Sequence, residues 1–314
     1  MRTKKMIKLS LFLIGVLAIS VTGCKKDNSS TTQTTANTNS LQNQSTDETR
    51  VSQASDEVTN DVNIVMSGQS GMKSTEGIPC NANLDSTAVI NDTMTYYITY
   101  NGLNCNGHLF RTGQVQIKRR VNTWWHQAGT TIIYSFINYH VYHVLHPEKA
   151  ITINGTRTYE NVSGGLLFMV PQYIDSVTHK EWGYMNITFE DSTHRTWHFY
   201  RQLTYTRVNQ QLVLQIAGLG AADGYSNLVI WGVNRNSEQF YDQILQTNVF
   251  KQHCDWDPCS GIRKIMIPAG NKSATLTYGY DSNNQLITND DCPTKFKVDY
   301  DINGQIGTIY LLLP

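Results

Sequence analysis

Apolar and polar positions along this chain follow three rhythms. Residues 9–21, LSLFLIGVLAISV, are almost continuously apolar. Between 46 and 66, Val51, Ala54, Val58, Val62 and Val65 recur at steps of three and four, the spacing of one helical stripe. From about residue 77 the rhythm becomes period two, which predicts strands with one buried and one wet face.

The strand segments follow one another at short spacing. They are TMTYYITYNG (93–102), TTIIYSFIN (130–138), AITINGTRTYEN (150–161) and YMNITFEDSTHRTWHFYRQLTY (184–205). Then come LVLQIAG (212–218), LVIWGV (228–233), QFYDQI (239–244), IRKIMIP (262–268), SATLTYGY (273–280), KFKVDY (295–300) and QIGTIYLLL (305–313). The stretch 184–205 predicts a hairpin. Met185, Ile187 and Phe189 share one parity, Trp197, Phe199 and Leu203 share another, and Asp191 to His194 form the turn. Asp301-Ile302-Asn303-Gly304 is a second hairpin signal. No helical run interrupts the strands, which excludes βαβ winding. The expected fold is mainly β: an antiparallel meander of hairpins, as an extended sheet or sandwich, preceded by one short helix. A division of the body into about 77–205 and 206–314 is a further expectation.

The helix is expected over 46–68, with Ser45 as cap, Glu48 reaching back to it, and Gly68 as the stop. Its stripe should pack on the β body, since barely three heptads are too few for a coiled coil. Residues 24–45 hold Ser, Thr, Asn and Gln with little that is apolar, and are expected to be a disordered tether.

The N-terminus changes the picture most. Arg2, Lys4, Lys5 and Lys8 precede the apolar run, which is short for a membrane span and ends in Val21-Thr22-Gly23-Cys24. Residues 1–23 are therefore expected to be a signal peptide cut before Cys24, with Cys24 as the lipidation site. A lipid chain anchors through its buried CH₂ groups at about 0.8 kcal/mol each, so several acyl chains on one Cys would hold firmly. Removing the signal leaves 21 basic and 25 acidic residues, a net charge of −4. Neither sign dominates, so a nucleic-acid partner is not expected.

The five other cysteines are disulfide candidates in an exported chain. Cys80 with Cys105 is the natural first pair, and Cys254 or Cys259 with Cys292 the second, leaving one thiol over. Cys254-Asp255-Trp256-Asp257-Pro258-Cys259 is read as a tight disulfide loop in preference to a zinc knuckle, because a matching second ligand pair is missing.

Chemistry-bearing residues are few. YHVYHVLH (139–146) spaces three histidines three apart. On a strand, His140 and His146 would share one face and His143 the other, so this segment is read as a strand, not a metal site, with His140 and His146 as the residues a metal would use. Asp281, Asn283 and Gln285 echo a calcium loop, but Leu286 stands where glycine is needed. Trp124, Trp125, Trp197 and Tyr200 suit stacking on sugar faces if exposed. No nucleophile elbow, phosphate loop or zinc-protease motif is present, no catalytic residue is singled out, and no cofactor is expected. Glycosidase carboxylates have no local spacing, and Glu160, Glu181 and Glu190 lie near strands.

Several features together resemble a group of Bacteroidetes outer-membrane lipoproteins. They are the lipobox, the charged Lys25-Lys26-Asp27-Asn28 after it, the polar tether, and the segment YNGLNCNGHLFRTGQVQI with Tyr97 just before it, in which Gly102, Cys105 and Gly107 precede Arg111 and Gly113. Near the end, CSGIRKIMI and the strands around Asp291-Cys292-Pro293 are similar to that group's closing strands, although there the acidic residue follows the Cys. The resemblance implies an all-β body at the outer membrane, displayed at the surface, and implies no activity. The sequence thus points to a lipid-anchored envelope protein acting as a binding or structural module. The alternatives are a surface glycan-binding protein using exposed aromatics and a hydrolase with a dispersed carboxylate pair. Its partners would be the membrane, glycans or other envelope proteins.

Overall fold

The computed structural model describes residues 31–68, 78–170, 172–254 and 256–313, with helix side chains from Leu41 onward, Gln42 excepted. The expected signal peptide, Cys24 and the basic residues after it lie outside the described residues. Among the described residues the chain forms one α-helix, α1 (Thr31–Gly68), and fifteen strands. The strands are β1 (Ala82–Ser86), β2 (Thr93–Leu103), β3 (Leu109–Arg120), β4 (Thr130–His143), β5 (Ile151–Asn161), β6 (Ser176–Thr188), β7 (His194–Val208) and β8 (Gln211–Gly218). There follow β9 (Gly220–Ala222), β10 (Tyr225–Val233), β11 (Gln239–Lys251), β12 (Pro258–Ile267), β13 (Lys272–Tyr280), β14 (Lys295–Ile302) and β15 (Gln305–Leu312). No described helix is long and apolar enough to cross a membrane.

All fifteen strands join one antiparallel sheet, ordered β1 to β7, then β10 to β15. β8 fills the gap between the far half of β7 and the far half of β11, and β9 pairs with β10. β7 runs through residue 205, the boundary between the two expected sub-regions, paired with β6 from His194 to Thr206. The mainly β, antiparallel, hairpin-built plan is as expected. Thr188 pairs with His194 across the first predicted turn, and Ile302 with Gln305 across the second.

Burial alternates along strands such as β3, β5, β6 and β7, so one face is core and the other meets water. Met185, Ile187, Phe189, Trp197, Phe199 and Leu203 all lie on the buried face, as their parity required. That face is concave. Gly155 sits on it in β5 with φ +138°, and a Cβ there would collide with the Tyr184 carbonyl of β6. Gly183 of β6 stands in the same relation to Thr156 of β5. At this pair only glycine permits both the backbone angle and the close approach, and the strands bend there.

The concavity holds α1. The helix begins at Thr31, well before the expected start, so residues 31–45 are helical where a tether was expected. Ser45 is not a cap. It lies within the helix, and its carbonyl accepts a hydrogen bond from Thr49 Oγ1 at 2.9 Å. No Pro or Gly interrupts residues 24–67, and Thr, Asn, Gln and Ser are only mildly unfavourable in a helix. Partners in the sheet, which local sequence does not display, decide the outcome: Leu41 and Gln44 are already buried.

Val51, Ala54, Val58, Val62 and Val65 are buried, as the stripe required, yet the helix is enclosed on its other sides too. Asp47 is held by Arg235, Glu48 by Arg263, Asp56 by Arg201 and Asp61 by Arg111. At about 100° per residue these four acids stand near 0°, 100°, 180° and 320° around the helix axis. Their arginines come from the turn after β10, from β12, from β7 and from β3. The sheet therefore wraps round the helix.

Two disulfides staple the loops: Cys80 to Cys105 and Cys254 to Cys292. Cys259 is a buried free thiol, which corrects the expectation of a tight Cys254–Cys259 loop. It opens β12 on the buried face, whereas Cys254 lies in the turn beside the loop that carries Cys292.

Candidate functional site: an aromatic strip on the convex face

The buried polar network is the first place where chemistry could reside. Glu181 of β6 accepts hydrogen bonds from Arg157 (2.8 Å) and Arg201 (2.9 Å), and Tyr134 donates to it as well. Burial alone would push its carboxyl up, but the two guanidinium groups and Tyr134 outweigh it and hold the pKa well below the carboxylate range. Next to it His179 Nδ1 shares a 2.6 Å hydrogen bond with the Tyr159 hydroxyl, which accepts from Asn63 of α1 at 2.8 Å. Burial pushes the His179 pKa down to about 3. Glu181 is wholly enclosed, so it is a structural anion and not an exchangeable acid. Glu190 is likewise engaged by Arg235 and Arg50 at the end of the helix bundle of charges.

The predicted aromatic residues divide between the two faces. Trp125 is 2 % exposed and donates from Nε1 to Asn63 Oδ1 at 3.1 Å. Trp197 is fully buried and donates to the Val233 carbonyl at 2.9 Å. Both are core residues, which corrects their assignment to a binding patch: parity puts Trp197 with Phe199, and Trp125, in the loop between β3 and β4, packs on Tyr159 and His179. Trp124 is exposed, with the Arg119 guanidinium 5.4 Å from its ring. Tyr200 lies on the convex face, half-buried.

Around Tyr200 the sheet assembles a strip. Trp182 of β6 is its cross-strand partner, with ring centres 5.9 Å apart. One same-face row further along, Tyr184 of β6 is opposite His198 of β7, which is opposite Trp231 of β10. His198 and Trp231 stack at 5.6 Å with planes 19° apart. Tyr184 and His198 are exposed; Trp182, Tyr200 and Trp231 are half-buried. Five rings from three neighbouring strands thus pave one surface. Trp182 joins Tyr200 through the β6–β7 hairpin, and Trp231 joins them through β10, which pairs with β7 and skips two strands of chain.

The strip's surroundings are polar and uncharged. Thr156 and Thr158 flank it from β5, opposite Tyr184 and Trp182. Thr156 shares a 2.9 Å hydrogen bond with Ser135, and Thr196 donates to Asn186 at 2.7 Å. The nearest charges in this register are Glu160 and Lys180, which oppose each other at one end.

The histidine segment is arranged differently from its expected parity. β4 ends at His143, so His146 lies in the following turn and does not share a face with His140. His140 hydrogen-bonds Thr152 at 3.0 Å. His143 instead has the rings of His108 and His146 each 6.0 Å away, and burial followed by these two neighbours lowers its pKa. Among the described residues, the group of metal-competent atoms that converges is His253 with Cys254 and Cys292, whose sulfurs are joined to each other. Asp281 of the calcium-like loop accepts the N–H groups of Asn283 and Gln285, each at 2.8 Å, and so closes its own turn.

No family model matches the chain, and neither a curated protein nor a solved structure matches it.

Proposed function

We propose that this chain is a lipid-anchored cell-envelope module that binds a neutral glycan on the convex aromatic strip. The observation that carries the reading is the juxtaposition of Trp182, Tyr200, Tyr184, His198 and Trp231 on one outer surface. A pyranose ring has an apolar C–H face that lies flat on an aromatic ring, and its rim of hydroxyls needs donors and acceptors at the side. The strip supplies the first, and Thr156, Thr158, Asn186 and Thr196 supply the second. The absence of charge within the strip favours an uncharged sugar over an acidic one. Anchoring at Cys24 would keep this surface at the membrane, where extended glycans are available.

Binding of the purified protein to an array of neutral polysaccharides tests the reading. Trp182→Ala and Trp231→Ala are expected to weaken binding at least tenfold while Trp124→Ala changes it little, with thermal unfolding of each variant measured alongside. Equal binding by all three variants, or no glycan retained by the parent, would overturn it. Cell fractionation of Cys24→Ala tests the anchor separately: the variant is expected in the soluble fraction.

A further inference from the structure

An open sheet has two edges, and this one treats them differently. The β1 edge is five residues, ANLDS, with exposed Asn83, Asp85 and Ser86. The β15 edge is eight residues, QIGTIYLL, without a charge or a proline. Its pairing with β14 runs from Gln305 to Leu312 with no bulge. Ile306 is 81 % exposed and Leu312 72 %, with Ile309, Tyr310 and Leu311 exposed between them. Natural sheets protect free edges with charges, prolines, bulges or brevity, and β15 has none of these. An edge of this kind is built to be paired.

The register shows which backbone groups are available. Asn303 and Gly304, both at positive φ, form a two-residue turn closing the pair Ile302–Gln305. At the other end Leu313 N–H donates to the Thr294 carbonyl at 2.9 Å. Antiparallel pairs alternate between bonded and non-bonded, so Gln305, Gly307, Ile309 and Leu311 direct their backbone groups to β14. Ile306, Thr308, Tyr310 and Leu312 direct theirs away from the sheet.

We propose that β15 is a self-association surface whose occupant is the β15 strand of a second copy, antiparallel, with Ile309 opposite Ile309 on a twofold axis normal to the sheet. In that register every outward backbone group meets an outward group: Ile306 pairs with Leu312 and Thr308 with Tyr310, twice over by symmetry. The two most exposed apolar side chains of the strand, Ile306 and Leu312, become cross-strand neighbours on one face. Ile309 and Leu311, which already face Val298 and Phe296 of β14, continue the other face. No like charges are brought together, because β15 carries none. The nearest charged residues are Lys295, Lys297, Asp299 and Asp301 on β14. In the dimer the two β14 strands lie three strand spacings apart, about 14 Å, beyond the screening length of about 8 Å at physiological salt. The register and the lack of charge on β15 thus suit a second copy, and a charged partner strand would gain nothing from it.

The test uses the full-length chain in detergent and on native membranes. Sedimentation is expected to give two chains per particle at high protein concentration, dissociating on dilution. Thr308→Pro removes an outward donor while leaving the backbone bonds to β14 intact. It also loses the 2.6 Å hydrogen bond from Thr308 Oγ1 to Asp299, which Thr308→Val loses alone. Unlike Thr308→Val, it is expected to be monomeric with unchanged circular dichroism. Ile309→Cys places two sulfurs at a non-bonded cross-strand pair, with Cα atoms about 4.5 Å apart, within disulfide range. It is expected to give a reducible dimer on membranes, whereas Ile306→Cys, about 20 Å from its symmetry mate at ~3.4 Å per residue, is not. A parent that stays monomeric, a Thr308→Pro variant that still dimerises, or cross-linking at Ile306 as efficient as at Ile309 would each overturn the proposal.

Discussion

Arg111 of β3 donates from Nη1 to Asp61 of α1 over 2.7 Å, and neither side chain is more than 6 % exposed. Tyr100 of β2 donates to the same carboxylate oxygen at 2.9 Å. The contact ties the end of the helix to the first strands of the sheet across fifty residues of chain. Because both charges are enclosed, losing one is costlier than losing both. Arg111→Met is expected to destabilise the protein by about 3–5 kcal/mol, since it strands a buried carboxylate. The double variant Arg111→Met/Asp61→Asn should recover much of that loss. Urea unfolding followed by circular dichroism measures both, and additive losses would show that the pair is not coupled.

Gly155 and Gly107 separate backbone strain from close packing. Both have positive φ, at +138° and +75°, but a Cβ at Gly107 would meet nothing within 4 Å. Gly155→Ala is expected to cost roughly 2–5 kcal/mol, from strain together with overpacking against Tyr184 and Met185. Gly107→Ala should cost about 1 kcal/mol. Similar unfolding midpoints for the two variants would mean that the bend between β5 and β6 does not depend on glycine.

His179 makes stability sensitive to acid. Its folded pKa is pushed down to about 3, against an ordinary value of 6.5, because burial disfavours the imidazolium. Between these values the unfolded chain binds a proton that the folded chain excludes. Stability from this group is therefore complete above pH 6.5 and falls as pH drops, by up to about 1.4 kcal/mol per unit. His179→Gln, which can still accept from Tyr159, should flatten the stability profile between pH 6.5 and 4 by one proton's worth of slope. Parallel profiles for parent and variant would show that His179 already titrates in the fold.

The disulfide pattern is directly readable. Peptide mapping without reductant should recover Cys80 joined to Cys105 and Cys254 joined to Cys292, with Cys259 alkylated only after unfolding. Replacing both Cys254 and Cys292 by Ser opens a loop of 38 residues and is expected to cost about 4 kcal/mol on the chain-entropy account. Labelling of Cys259 in the native protein would contradict its burial.

Period-two alternation was enough to place most of the strands, because most have one core face and one wet face, but β3 and the first half of β6 were not among them, and β15 is exposed on both faces. The stripe of α1 was equally legible, since valines at three- and four-residue steps have one simple explanation. The acids of the helix were not. Nothing local marks Asp47, Glu48 and Asp61 as buried, and only their arginine partners, far away in the chain, show them to be enclosed. One signal was available: Arg111 and Arg201 fall in the same parity as Leu109 and Leu203, so their strands place a cation in the core. His140 and His146 kept apart for a similar reason, because strand parity holds only while the strand lasts and β4 ends at His143.

The sequence by itself determined element type and face, since hydrophobic periodicity and turn residues act over a few positions. Only the tertiary structure decided that the helix starts at Thr31 and lies inside the sheet, that Trp125 and Trp197 are core, and that Trp231 joins Trp182 on the outer surface. Those outcomes depend on which distant strands become neighbours and how tightly the sheet curls, and both are settled by many weak contacts and buried ion pairs acting together, not by any local run of residues.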